Sequence, residues 1–294
     1  MSALKLQGLI FSVCALLCAA VAASLPAWDA QAELILVTAL IIALGVPHGA
    51  LDTVFGKERF GLNTLGAWLR FTVLYLLLAA LVVGLWYFAP GIFLAAFLII
   101  SIAHFSGDPE GDFPWWLRIT QGGVVIFLPM LLHPEAITAL FTLLIGPTAG
   151  QTLLTGMAYL AWPWLAAALA AVLYLLRHSL WQCLELSSLI ILAVVAPPLI
   201  AFTLFFCGMH SARHILRTAR YAQTTSLSFL WMAALFPMLG VAGLTLLAWW
   251  LLADHPIDAR LIQIVFVGLA ALTVPHMVLV EPVRARGWIK GERN

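Results

Sequence analysis

Residues 32–52 read AELILVTALIIALGVPHGALD, an apolar run that closes on Pro47, His48, Gly49 and Asp52. Such a run matches a membrane-crossing helix, because the hydrocarbon core of a bilayer needs about 17–25 residues of α-helix. The close of the run is the anomaly. The plain account is a helix that stops at Pro47 and leaves His48 among lipid headgroups. The other account gives the histidine a chemical task, and the rest of the chain decides between them.

Apolar runs recur from end to end. The chain has 294 residues, 64% of them hydrophobic and 9% charged. A soluble domain is about 45–50% apolar and about 25% charged. The fold class is therefore all-α, a polytopic transmembrane helix bundle of about 8–10 membrane segments in a single integral membrane domain, 1–294. A β-barrel would show short alternating segments instead. A net charge of +1 implies no nucleic-acid partner. The cysteines, Cys14, Cys18, Cys183 and Cys207, form no CxxC pair and read as small core residues. The first run, from Gly8 to Ala23, follows Lys5 and ends in AVAAS. A cleaved signal peptide shares that pattern, but the segment is read here as a retained span.

Spans are expected near 7–25, 32–47, 68–88, 91–105, 116–132, 157–176, 184–206, 229–252 and 259–280. The piece AITALFTLLI, Ala136 to Ile145, is short for a crossing and reads as re-entrant. Basic residues gather at Lys5, at Lys57/Arg59/Arg70, at Arg213/Arg217/Arg220 and at Arg284/Arg286/Lys290/Arg293. The positive-inside rule places all four clusters, and with them both termini, in the cytoplasm of a cell (inner) membrane protein. The last two clusters obey it only if 136–150 crosses or supplies an equivalent reversal.

The eight histidines then separate. His48, His104, His210, His214 and His276 fall on the cytoplasmic side of that count, and His133, His178 and His255 at the opposite ends of spans. The first five stand in distinctive settings: GVPHGALD (45–52), SIAHFSGD (101–108), MHSARH (209–214) and VPHMVLVE (274–281). His48/Asp52, His104/Asp108 and His210/His214 share a four-residue spacing, which on a helix puts both members on one face. Pro109 biases Asp108 away from helical geometry, so that pair is expected across a turn. Ionisable residues at membrane depth are costly and point to function. The expected metal ligands are His48, His104, His210 and His214. His276 is a fifth ligand or lies behind them. Asp52 and Asp108 either orient ligand histidines or ligate themselves. The arginines around HSARH read as topology signals, Arg213 least securely because it lies inside the motif.

Four neutral imidazoles without thiolate suit Zn, Cu, Fe or Ni, and ligand type alone does not choose among them. H-E-x-x-H, the mark of a zinc protease, is absent. GVPHGALD, SIAHFSGD, HSARH and VPHM, in this order, resemble the Brp/Blh family of bacterial and archaeal membrane proteins, which contains β-carotene 15,15′-dioxygenases. The resemblance covers about residues 40 to 280, and PHGAxD is its most specific part. It implies non-haem Fe2+ on His48, His104, His210 and His214, O2 as co-substrate, and central cleavage of a carotenoid to two retinals. Two positions depart from the family pattern. Thr53 follows PHGALD where another histidine is common, and HFSGD replaces a more usual HFG with a later acid.

A polyene substrate needs a long apolar tunnel among the helices, open to membrane lipids. Phe105, Trp115, Trp116, Phe205 and Phe206 are the expected lining, by proximity to the motifs. Other readings remain open at this level. One is a membrane iron oxygenase acting on a different carotenoid or lipid, although such enzymes usually hold two irons in clustered histidine boxes. Another is a transporter or assembly factor without catalysis. An opsin is excluded, because Lys5, Lys57 and Lys290 all lie outside the spans.

Overall fold

The computed structural model describes residues 2–24 and 29–288; Lys290 and Arg293 of the last basic cluster lie outside the described residues. Among the described residues there is no strand. Eleven helices follow in order: α1 (Ala3–Ser24), α2 (Ala30–Phe60), α3 (Leu65–Phe88), α4 (Pro90–Phe105), α5 (Trp115–Leu132), α6 (Pro134–Ile145), α7 (Pro147–His178), α8 (Leu180–Val195), α9 (Pro198–Tyr221), α10 (Leu227–Leu251) and α11 (Ile257–Ala285). Eight of them, all but α4, α6 and α8, are long and apolar enough to cross a membrane. The protein is an all-α, multi-pass helix bundle.

Three boundaries differ from the sequence expectation, the simplest being α7, which begins at Pro147 and not near residue 157. The segment expected as one span over 184–206 is a hairpin, α8 and α9, broken at Ala196 and Pro197. Proline lacks an N–H and pushes the residue before it into extended geometry, and Ala196 has φ −84° and ψ 153°. The helix expected to end near residue 47 instead runs on to Phe60. It does so through a π-helical turn at Ile41–Gly45 and a kink at Leu51.

The hairpin also resolves the reversal left open between 136 and 150. Trp86, late in α3, donates to the Leu144 carbonyl at 2.9 Å, and Gln263, early in α11, to that of Leu143 at 2.9 Å. His133 lies 3.1 Å from the Val194 carbonyl, at the end of α8. The 12-residue α6 therefore stays at one end of the bundle and does not cross. The missing reversal comes from the break at Pro197. Both ends of the described residues are then at the opposite end, where Leu4 and Trp288 line one surface recess with Arg118 and Arg217.

A continuous core cluster draws on Phe11 and Ala15 of α1, Val124 and Leu128 of α5, Leu186 and Leu189 of α8, and Ala270 of α11. α1 packs along α8 and is part of this core. By contrast, α3 buries no residue and α10 only Leu230 and Ala234. Helices apolar on every face yet unburied by protein are suited to lipid contact.

Candidate metal centre

The site is built around two π-helical turns, Ile41–Gly45 in α2 and Phe205–Ser211 in α9. Pro47 explains the first. Its ring would collide with the carbonyl four residues back and it offers no N–H. The chain widens instead, and the Val46 N–H reaches the Ile41 carbonyl at 2.8 Å. The Gly49 N–H bonds to Val46 rather than to Gly45. The Gly45 carbonyl is thereby released, and it accepts from His48 Nδ1 at 2.5 Å. Single π turns inside α-helices often occur at functional sites. The two turns pack against each other, and a methyl on Gly45 would strike the Phe206 ring. Only glycine allows that approach.

Five histidines meet there. His48, His104, His210, His214 and His276 are all buried, each at 7% exposure or less. Ring centroids stand 5.0 Å apart for His48–His210, 5.3 Å for His48–His214, 5.2 Å for His48–His276, 4.6 Å for His104–His210 and 4.9 Å for His214–His276. One ligand atom from each of His48, His104 and His276 lies within 4.8 Å of the others. His276 thus belongs to the cluster itself. By contrast, His178 and His255 are exposed at the bundle surface. His178 leads into α8, whose Glu185 meets Arg213, so it stands toward the cluster's end of the bundle and not the opposite one.

The hydrogen bonds set the ring tautomers. Asp52 Oδ1 lies 2.6 Å from His276 Nδ1, and the Asp108 carboxylate 3.0 Å from His210 Nδ1. Thr218 Oγ1 lies 3.3 Å from His214 Nδ1 while donating to the His214 carbonyl. Carboxylates and carbonyls only accept, so Nδ1 carries the hydrogen and Nε2 keeps its lone pair. The Nε2 atoms of His104, His210, His214 and His276 are buried with no hydrogen-bond partner among the described residues. Buried polar atoms are normally paired. Bare imidazole nitrogens within one cluster of rings, with ligand atoms of His48, His104 and His276 close together, are a donor set that fits a metal ion.

The carboxylates serve different histidines from those the spacing suggested. Asp52 does not back His48, because the kink at Leu51 (φ −76°, ψ 0°) turns it off that face and toward α11. Tyr75 donates to its other oxygen at 2.8 Å. Asp108 lies beyond the end of α4 and faces α9 instead of His104. Burial raises the pKa of Asp108, but the hydrogen bond from His210 and the charges of Arg217 and Arg213 outweigh it and hold the carboxyl below its ordinary value.

Arg213 is more than a topology signal. It is fully buried, pairs with Glu185 at 2.9 Å and bonds to Gln7 at 2.8 Å and to the Asp108 carbonyl at 2.9 Å. Arg217 donates to the same carbonyl at 2.9 Å. Both arginines therefore hold the turn that carries Asp108. Gln7 and Glu185 went unnoticed in the sequence because neither lies near a histidine motif. A glutamate inside an apolar run was the available signal. Thr53, at the departure from the family pattern, bonds to the Ala233 carbonyl of α10 at 3.0 Å.

Phe105 and Phe206 flank the cluster, with ring centroids 4.9 Å and 5.7 Å from His210, and Phe205 packs on Phe105 at 5.0 Å. Trp116 packs on Tyr174. Trp115 is 74% exposed and faces outward at the start of α5. An apolar cavity of about 90 Å³ adjoins this region, lined by Phe105, Phe202, Phe266, Met130 and Phe141 among others. Of the expected aromatics only Phe105 lines it. Phe202 stacks on Phe206 at 5.5 Å, so the cavity wall continues into the cluster. Ser101 is the only polar side chain in the lining among the described residues.

With this geometry in hand, the comparisons with known proteins are specific. The profile of the family described as "Beta-carotene 15,15'-dioxygenase" matches residues 39–283. A protein named "Beta-carotene 15,15'-dioxygenase" from an uncultured marine bacterium (66A03) is 33% identical over 264 residues, covering 83% of this chain and 91% of that protein. The "Probable beta-carotene 15,15'-dioxygenase Blh" of Halobacterium salinarum is 27% identical over 284 residues, 81% of each chain. No solved structure matches.

Proposed function

The chain belongs to the β-carotene 15,15′-dioxygenase family, and from that premise we propose that it cleaves the central double bond of β-carotene with O2 to give two retinals. The observation that carries this reading is the cluster of buried histidines with bare Nε2 atoms beside an apolar cavity. His48, His104 and His276, whose ligand atoms lie close together, would hold one Fe2+ with His210 and His214 beside them. When bound, the iron supplies the means to activate O2.

The chain's own residues do the rest. Asp52, Asp108, Thr218 and the Gly45 carbonyl keep the protons on Nδ1 and the lone pairs on the metal side. The cavity takes an extended hydrocarbon. About 90 Å³ of it is open in this structure, so the helices around it must part to admit a whole carotenoid. A lining with one hydroxyl suits a substrate without polar groups, since unmatched polar atoms would be costly there. The reaction balances without a general acid or base. One C=C and the O–O bond break, two C=O bonds form, and no outside electron or proton is needed.

Expression in cells that make β-carotene tests the reading. The colour should fade as retinal appears, and His48→Ala should abolish the change. Intact β-carotene alongside iron-loaded protein would redirect the assignment to another carotenoid or lipid. Unequal aldehydes would reject central cleavage. Zinc, or no metal, in the purified protein would reject iron.

A further inference from the structure

Four of the five clustered histidines have a partner at Nδ1: Gly45 for His48, Asp108 for His210, Thr218 for His214 and Asp52 for His276. His104 is the exception. Both of its ring nitrogens are buried and have no hydrogen-bond partner among the described residues. The nearest carboxylate oxygen is Oε1 of Glu281, 3.6 Å from His104 Nδ1, and this oxygen is also buried and without a partner. Two complementary buried atoms thus face each other slightly beyond hydrogen-bond distance.

We propose that Glu281 is the positioning residue for His104, accepting its Nδ1–H and turning its Nε2 toward the metal. This rests on the metal-site reading above. The rest of Glu281 is already held in place. Arg284 pairs with its other oxygen, Oε2, at 2.5 Å. The same guanidinium donates to the carbonyls of Ala103 at 3.3 Å and His104 at 3.2 Å, which fastens the end of α4 to α11. Gly107 makes this possible, because a Cβ there would collide with the Arg284 side chain. Neither ring nitrogen of His104 is committed to another group, so a small rotation closes the gap to Glu281 without breaking a bond.

The arrangement gives the site a repeated plan, with His276 backed by Asp52, His210 by Asp108 and His104 by Glu281. Each carboxylate comes from a different helix or turn than the histidine it serves. A carboxylate behind a ligand histidine fixes the tautomer and raises the basicity of the ligating nitrogen.

The test uses full-length protein in detergent, stripped of metal and titrated with ferrous iron under argon. Four variants are compared with the parent protein. Glu281→Leu removes the acceptor and should raise the iron dissociation constant by about 10–100-fold. Glu281→Gln keeps an acceptor oxygen without the charge and should fall between. Arg284→Met removes the clamp but leaves the carboxylate, and should bind iron more tightly than Glu281→Leu. His48→Ala reports on the site itself and should lose iron. If His48→Ala loses iron while Glu281→Gln and Glu281→Leu bind like the parent, the role of Glu281 is overturned and the site stands. If Arg284→Met weakens binding as much as Glu281→Leu, Glu281 acts only through the clamp, and the inference also falls. If His48→Ala binds like the parent, the site reading itself fails. Should Glu281→Leu not fold, the Gln variant decides, with its metal-free unfolding temperature as the check on structure.

Discussion

A neutral imidazole offers a metal one nitrogen, and the group bonded to the other nitrogen selects which. Asp52 and Asp108 make that selection for His276 and His210. Asp52→Asn and Asp108→Asn should each weaken iron binding by about 10–100-fold while the protein still folds. Anaerobic titration of the purified variants measures this; a loss as complete as that of His48→Ala would mark the aspartates as ligands instead. Arg213 poses a different problem at the same scale. Its charge is buried and pairs with Glu185. Arg213→Ala strands the glutamate, and removing one member of a buried pair costs about 3–5 kcal/mol. Replacing both residues with Met should recover most of the lost stability, as read by denaturant unfolding in detergent. No recovery would mean that the bonds to Gln7 and Asp108, and not the charge pair, hold this region together.

Among the elements, the two π turns matter most, because a π turn shifts every later side chain around the helix axis. Pro47 marks the first turn in the sequence, since its missing N–H cannot be met by regular helix. The second, at Phe205–Ser211, has no proline and no local signal that was read. Gly45 joins the two turns. Gly45→Ala should cost about 1–3 kcal/mol by overpacking against Phe206, and should weaken iron binding because His48 moves with α2. Adding Phe206→Leu should relieve the clash and return part of both losses. Unfolding and iron titration of the single and double variants check this; an unperturbed Gly45→Ala would show that the turns can separate freely. The break in 184–206 was missed because the apolar pattern runs straight through Pro197 and Pro198.

The whole molecule has a histidine end and an opposite end. Lys57, Arg59, Arg217, Arg220, Arg284 and Arg286 gather at the first, whereas Glu135, Asp254 and Asp258 lie at the second with Arg260. By the positive-inside rule, we infer that the histidine end faces the cytoplasm. Cysteines introduced at Asn63 and Thr224, in a background without the four native ones, should be labelled from the cytoplasmic side. Those at Glu135 and Asp254 should be labelled from the other. Labelling of Asn63 and Thr224 from opposite sides would overturn the hairpin count through α8 and α9.

The sequence by itself determined the class of molecule and singled out the histidine motifs that the fold brings together. Hydropathy over about 20 residues is a local quantity, and the histidine motifs are short enough to be read without a partner. The basic clusters likewise put both chain ends on one side, although the crossing that achieves this was placed in the wrong segment. Only the tertiary structure decided which group backs which histidine, that His276 joins the cluster, that Gln7 and Glu185 hold Arg213, and where the cavity lies. A four-residue spacing predicts a shared face only while the helix stays regular. The kink at Leu51 and the end of α4 break that condition at Asp52 and Asp108, so their partners come from helices distant in the chain. Pairing of this kind depends on the rotation of each helix in the packed bundle, which no local pattern of residues encodes.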